Sequence, residues 1–306
     1  MRHHGWFVGL ALPLVCLCAD TRSQEPPLFY SRSDLVVLHV TVRDKGGAYV
    51  AGLSRDTFRV LEDGRPQPIT FFTSEDRPVT FGLLIDGSGS MQANRDLVVT
   101  AAASFAAASN PDDEMCALLF NEHVYPVLPP GAPFTSDVGV LREALARTIS
   151  ARGRTALYDA VSAGLDHLDR GRYEWKILVL LGDGADNASQ TTFMDVIAKI
   201  ERSNTAIHSI ALVDPVDRDA KPKRLEQMSR ASGGEAFTPR DVRHVTDALR
   251  QIALDIRRTY TIGYVPMNAA RDGALRRLQV VVDAPDRRSV VVRSRAGYVA
   301  TPGPAR

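Results

Sequence analysis

Two apolar runs in this chain end abruptly on an acid. Phe81-Gly82-Leu83-Leu84-Ile85 runs into Asp86, and Ile177-Leu178-Val179-Leu180-Leu181 runs into Gly182-Asp183. Apolar runs of about four to eight residues bounded by turn signals read as strands buried on both faces. Such strands need neighbours on either side and cover above and below. Each acid therefore falls where a buried strand stops and a loop begins, and Gly87, Gly89 and Gly184 let those loops turn tightly.

The segments around the two runs alternate in character. Helical periodicity covers Arg95 to Ser109, Asp137 to Ser150 (apolar at Val140, Leu141, Leu145 and Ile149), Leu157 to Leu168, Phe193 to Arg202, Lys223 to Ala231 and Val242 to Arg257. Met115–Phe120 and His123–Leu128 read as a hairpin joined at Asn121-Glu122, and Ile207–Val213 as a further strand. Strands alternating with helices predict an α/β fold, a mainly parallel sheet with helices on both faces. In such sheets ligands bind beyond the carboxyl ends of the strands, where Asp86 and Asp183 both stand.

Ser88 and Ser90 follow Asp86 at alternate positions, and Thr155 lies in a loop that opens a helix. Asp86, Ser88, Ser90, Thr155 and Asp183 are all oxygen donors, a set that suits a hard cation. Magnesium takes about six oxygens and usually keeps several waters, so one or two carboxylates suffice. The pattern Asp-x-Ser-x-Ser, then a distant Thr, then a strand-terminal Asp-Gly, resembles the metal-ion-dependent adhesion site (MIDAS) of von Willebrand factor A (VWA) domains, and all five positions match. The flanks Leu35–Asp44, Phe58–Gly64 and Gly297-Tyr298 resemble those of secreted bacterial proteins of the same family, of Acidobacterial type.

The resemblance implies a Rossmann-like α/β domain that binds Mg2+, or Mn2+ or Ca2+. It further implies that Ser88, Ser90 and Thr155 coordinate in the ligand-bound state, with one or both aspartates acting through water. A protein partner's Asp or Glu carboxylate would complete the metal shell, so the implied function is adhesion or protein–protein recognition. Two alternatives stay open. A metal-dependent hydrolase would use the same cation as a Lewis acid, but no His or additional acid stands in the three site loops as its general base. A structural cell-envelope scaffold would use the metal for stability alone.

Other chemistries fit the loop less well. A dinucleotide fingerprint lacks its third glycine, with Gln92 in that place, and no Gly-Lys-Ser/Thr phosphate loop is present. A dehalogenase-type phosphatase would carry a second acid where Ser88 stands. Gly87-Ser88-Gly89 lacks the Gly-x-Ser-x-Gly frame of a nucleophile elbow. The formal net charge of +1 offers nothing to draw a nucleic acid.

The ends carry a different message. Residues 1–24 have a short basic start (Arg2, His3, His4), an apolar block from Trp6 to Cys18 and a polar return after Ala19, the form of a secretory signal peptide. Export to the periplasm or beyond is expected, with no stable membrane span after cleavage. A lipoprotein signal at Cys16 or Cys18 is disfavoured by the larger Val15 and Leu17 before them, and an uncleaved anchor is the third option. Only Cys116 would remain in the mature chain, inside an apolar run and without an internal partner.

Residues 28–75 and 259–300 are strand-like and separated by turn clusters, and they are expected to join as a β-sandwich flanking a VWA domain at 78–258. Phe58–Glu62 with Asp63-Gly64 signals a hairpin, and Ile69–Phe72 reads as its return strand. Asp159 reads as a helix-dipole or capping acid, Tyr158 as packing, Asp186-Asn187 as a solvated turn with shaping of the site's rim as the alternative, His208 as a satisfied core histidine, and Arg287, Arg288, Arg293 and Arg295 as a solvated strand face, with a patch for a membrane surface or an acidic partner as the alternative.

Overall fold

The computed structural model describes residues 35–89, 91, 95–148, 153–213, 219–239, 244–284 and 289–300. The signal-like segment, Ser90, Ile149, Arg287 and Arg288 lie outside them. Four strands come first: β1 (Val36–Asp44), β2 (Phe58–Glu62), β3 (Arg65–Gln67) and β4 (Ile69–Thr73). An alternating series follows: β5 (Thr80–Asp86), α1 (Arg95–Ala107), β6 (Glu114–Phe120), β7 (Val124–Pro126), α2 (Val138–Thr148), α3 (Leu157–Leu168), β8 (Lys176–Gly182), α4 (Phe193–Arg202), β9 (Thr205–Ala211), α5 (Pro222–Ser232), β10 (Ala236–Phe237) and α6 (Val245–Arg257). Four strands close the series: β11 (Tyr260–Tyr264), β12 (Leu275–Val282), β13 (Val290–Arg293) and β14 (Gly297–Val299).

The middle series forms a six-stranded sheet in the order β10-β9-β8-β5-β6-β7. All its pairings are parallel except the β6–β7 hairpin. Side chains alternate along β5 as the pleat requires. Phe81, Leu83 and Ile85 join Val98 and Phe105 of α1, Leu141 and Leu145 of α2, and Leu249 and Ile252 of α6 on one face. Leu84 joins Val161, Leu165 and Leu168 of α3, Val196 and Ile200 of α4, and Leu225 and Met228 of α5 on the other. Val140, grouped with these core residues in the sequence reading, lies on the solvent side of α2, 48% exposed.

Gly82 keeps the second layer closed: a Cβ there would stand 3.1 Å from Cys116 Sγ and 3.2 Å from Leu168 Cδ2. Cys116 is a free, buried thiol that burial pushes up to about 12, so it packs as a small hydrophobe. From β5 the chain crosses to β6 on one side, while β8 takes the other. The strand order reverses beside β5, and its carboxyl end opens on the crevice this creates.

The terminal strands interleave as two four-stranded antiparallel sheets, β13-β1-β11-β4 and β14-β12-β2-β3. Leu38, Val40, Val42, Phe58, Val60, Tyr260, Ile262 and Tyr264 fill the core between them. Glu62, 3% exposed, accepts hydrogen bonds from Tyr264 Oη at 2.7 Å and Tyr298 Oη at 2.9 Å, so its carboxylate is satisfied inside the sandwich. The α/β unit is inserted between β4 and β11, which are neighbours in one sheet.

Two readings of the flanks are corrected. The partner of β2 is β3, not Ile69–Phe72: Asp63 and Gly64 have φ of 48° and 78°, and Glu62 pairs with Arg65 directly across a two-residue turn. β4 crosses to the other sheet and pairs with β11. Nor are Arg293 and Arg295 a solvated face. Arg293 pairs with Glu235, while Arg295 donates to Asn204 Oδ1 at 2.8 Å and to Glu201 O at 3.2 Å. Arg43 of β1 joins them, pairing with Asp255 of α6 and with Glu235 at 3.0 Å. Arg257 at the end of α6 holds Asp76 at 2.7 Å and Asp113 at 2.5 Å, which clasps the chain's entry to the inserted unit against its exit.

Candidate functional site

The two strand ends solve the same local problem in the same way. Asp86 Oδ1 accepts the N–H of Ser88 at 2.8 Å, and Asp183 Oδ1 accepts the N–H of Ala185 at 2.8 Å. Each acid thus folds over the start of its own loop, a turn that Asp favours because its carboxylate reaches the backbone two residues on. β5 and β8 run side by side and parallel with Ile85 opposite Leu181, so the loops emerge next to each other. A Cβ on Gly182 would stand 3.1 Å from both Cβ and Oδ2 of Asp86. The glycine therefore leaves the space that the Asp86 carboxyl fills.

The third loop is fastened to both. Gly153, with φ 86°, offers its carbonyl to the N–H of Gly89 at 3.3 Å. Thr155 donates its N–H to Asn187 Oδ1 at 2.8 Å and accepts at its carbonyl from the N–H groups of Asn187 at 2.9 Å and Ala188 at 3.0 Å. The Ala156 N–H goes to Asn121 O at 2.7 Å. Asp86, Ser88, Thr155 and Asp183 are all buried at the rim of the sheet, none more than 4% exposed. Ser90, the remaining expected donor, is outside the described residues.

Burial pushes the Asp86 carboxyl up to about 7; hydrogen bonds from the Ser88 N–H and hydroxyl pull against that shift, and the charge of Asp183 adds to it. Two buried acids that feel each other resist being ionised together unless a proton or a cation intervenes. The donor chemistry fits a cation: carboxylates and hydroxyls, all oxygen, all inward of the surface. Among the described residues no group of three or more His, Cys, Asp or Glu is placed to hold a metal. A cation at this position would accordingly depend on the mixed carboxylate–hydroxyl set.

Several residues around the site have roles the sequence does not announce. Asp186 and Asn187 are more than a solvated turn: they shape the rim of the site. Asp186 Oδ1 accepts from Ser189 Oγ at 2.5 Å and from the Tyr158 N–H at 3.3 Å, and Asn187 clamps Thr155. Asp159 does not cap its own helix but accepts the N–H groups of Gln190 and Thr191, each at 2.9 Å. Glu122 receives the Arg154 N–H at 3.2 Å, and that bond leads the influences holding its carboxyl below the usual range. Apart from the Asp186–Ser189 bond inside one loop, these contacts bridge separate loops, so no local motif marks them. His208 accepts the Glu235 N–H on Nδ1 at 3.2 Å, a satisfied histidine away from the candidate donors.

The sequence model of the von Willebrand factor type A domain matches residues 82–251. The chain belongs to this family. The matched stretch opens within β5 and closes within α6, so it covers the strands, loops and helices that build the A-domain site. A von Willebrand factor type A structure from Catenulispora acidiphila superposes with a TM-score of 0.52 at 16% identity, over 90% of this chain and 74% of that one. Proximal thread matrix protein 1 from the mussel byssus gives a TM-score of 0.50 at 15% identity, over 62% of this chain and 48% of its own. Another structure of that mussel protein, at TM-score 0.49 and 14% identity over 64% and 49% of the two chains, has a zinc-occupied MIDAS motif. At these identities the likeness is one of fold. No curated protein matches the sequence. Among the described residues no helix is long and apolar enough to cross a membrane.

Proposed function

We propose that this A domain is a divalent-metal-dependent recognition module. Asp86, Ser88, Ser90, Thr155 and Asp183 are the residues assigned to hold the ion, with magnesium or manganese preferred to calcium because few anionic ligands are offered. The observation that carries the reading is the buried set at the rim of the sheet. Two carboxylates and two hydroxyls from three separate loops lie at 4% exposure or less, and Asp86 feels the charge of Asp183. Such a set has little purpose in a core and a direct one around a hard cation. When bound, the ion supplies an electrophilic position for an incoming oxygen ligand.

The partner that fits is a protein presenting an Asp or Glu carboxylate, which favours adhesion or recognition over turnover. Export follows from the signal-like residues 1–24, and it places the module where a divalent cation and a foreign surface meet. Titration calorimetry with magnesium or manganese chloride tests the reading. The wild-type protein binds one ion, and the Asp86→Ala, Asp183→Ala double variant does not. Equal binding by both would refute it.

A further inference from the structure

Helix α3 begins without a cap of its own. Its N-cap position is Ala156, which has no side-chain oxygen to offer. Tyr158 and Asp159 nevertheless have their N–H groups satisfied, at 3.0 and 3.1 Å, by the hydroxyl of Ser189 from the loop after β8. The same hydroxyl donates to Asp186 at 2.5 Å, which orients its lone pairs toward the helix and sets a carboxylate behind them at the positive end of the dipole. One residue earlier in the chain than that cap, Thr155 is held on both its N–H and its carbonyl by Asn187. Asp159 then accepts from Gln190 and Thr191, so the contact continues along the loop.

Residues 155–159 and 186–191 are thus zipped together, and the first carries Thr155 while the second is the continuation of Asp183. We infer that Asn187 and Ser189 are positioning residues of the candidate metal centre: they fix Thr155 against Asp183 through hydrogen bonds made by the chain itself. The inference rests on the metal reading proposed above and adds to it a reason for the affinity. Three of the donors would need to be gathered from loops that, untied, sample many arrangements. A trans cap and a backbone clamp remove that freedom in advance, as outer-shell partners do for other metal sites. Neither residue is among those assigned to hold the ion, and Asn187 is exposed, so its replacement leaves the core untouched.

The experiment is manganese chloride titration of the wild type and the Asn187→Ala, Ser189→Ala and Ser189→Thr variants, with amide hydrogen exchange of each metal-free protein. Both alanine variants are expected to bind manganese about tenfold more weakly or worse, while Ser189→Thr, which keeps the hydroxyl, binds like the wild type. In metal-free Ser189→Ala the Tyr158 and Asp159 amides exchange faster. Wild-type affinity in both alanine variants would overturn the inference and leave the metal reading standing. A loss in Ser189→Thr equal to that in Ser189→Ala would also overturn it, since the hydroxyl would then not be the cause. No binding by the wild type would remove both.

Discussion

Gly182 stands directly against the Asp86 carboxyl. Its missing side chain is the room the Asp86 carboxyl occupies, at 3.1 Å from where a Cβ would be. Gly182→Ala is expected to destabilise the protein by about 1–3 kcal/mol, the usual cost of forcing a carbon into a filled space, and to weaken metal binding by moving Asp86. Urea unfolding measures the first and calorimetry the second. His208 makes a different kind of prediction. Burial, followed by the charges of Arg293 and Arg43, lowers its pKa to about 4 in the folded protein from the ordinary histidine value of 6.5. Between those values the unfolded chain binds a proton at this side chain and the folded one does not, so its contribution to stability is lost as pH falls through that window. Compared with His208→Gln, the wild type should lose about 1.4 kcal/mol for each pH unit below 6.5 until pH 4 is reached. Denaturation of both proteins across that range gives the difference directly.

At the scale of elements, α3 and α4 begin and end where periodicity places them, and β8 extends the apolar run Ile177–Leu181 by one residue at each end. They are legible because each apolar face repeats at the period of its own backbone, and in α4 the start is written locally as a Thr192–Asp195 capping box. The Asp-x-Ser-x-Ser loop was legible for the same reason, being a local pattern at a strand end. β3 was missed because Arg65-Pro66-Gln67 has no apolar alternation and contains a proline, tolerable only on an edge strand. The cap of α3 is not legible because the oxygen that makes it, on Ser189, lies 31 residues from Tyr158 along the chain. The same blindness hid the ion pairs joining β1, β13 and α6. Arg43 and Asp255 have side chains only 13% and 6% exposed, so Arg43→Ala leaves the Asp255 carboxylate buried without its ion pair, while Glu235 keeps Arg293. Breaking a buried pair in this way costs about 3–5 kcal/mol, and guanidinium unfolding of Arg43→Ala should show a loss of that size.

In the whole molecule, β4 and β11 lie side by side although the entire α/β unit separates them along the chain. A chain delivered from its amino end presents β1 to β4 first, with every pairing of theirs except β2–β3 still unmade. The inserted unit has no such wait, since its own sheet draws strands only from β5 to β10. Pairing between distant segments is slow because loop closure precedes any reward. Here that closure is expected to fall to the inserted unit, provided its self-contained sheet forms first. Its first and last residues come out together, gripped by Arg257 across Asp76 and Asp113. The inserted A domain is thereby expected to serve as the splint on which its own flank is assembled.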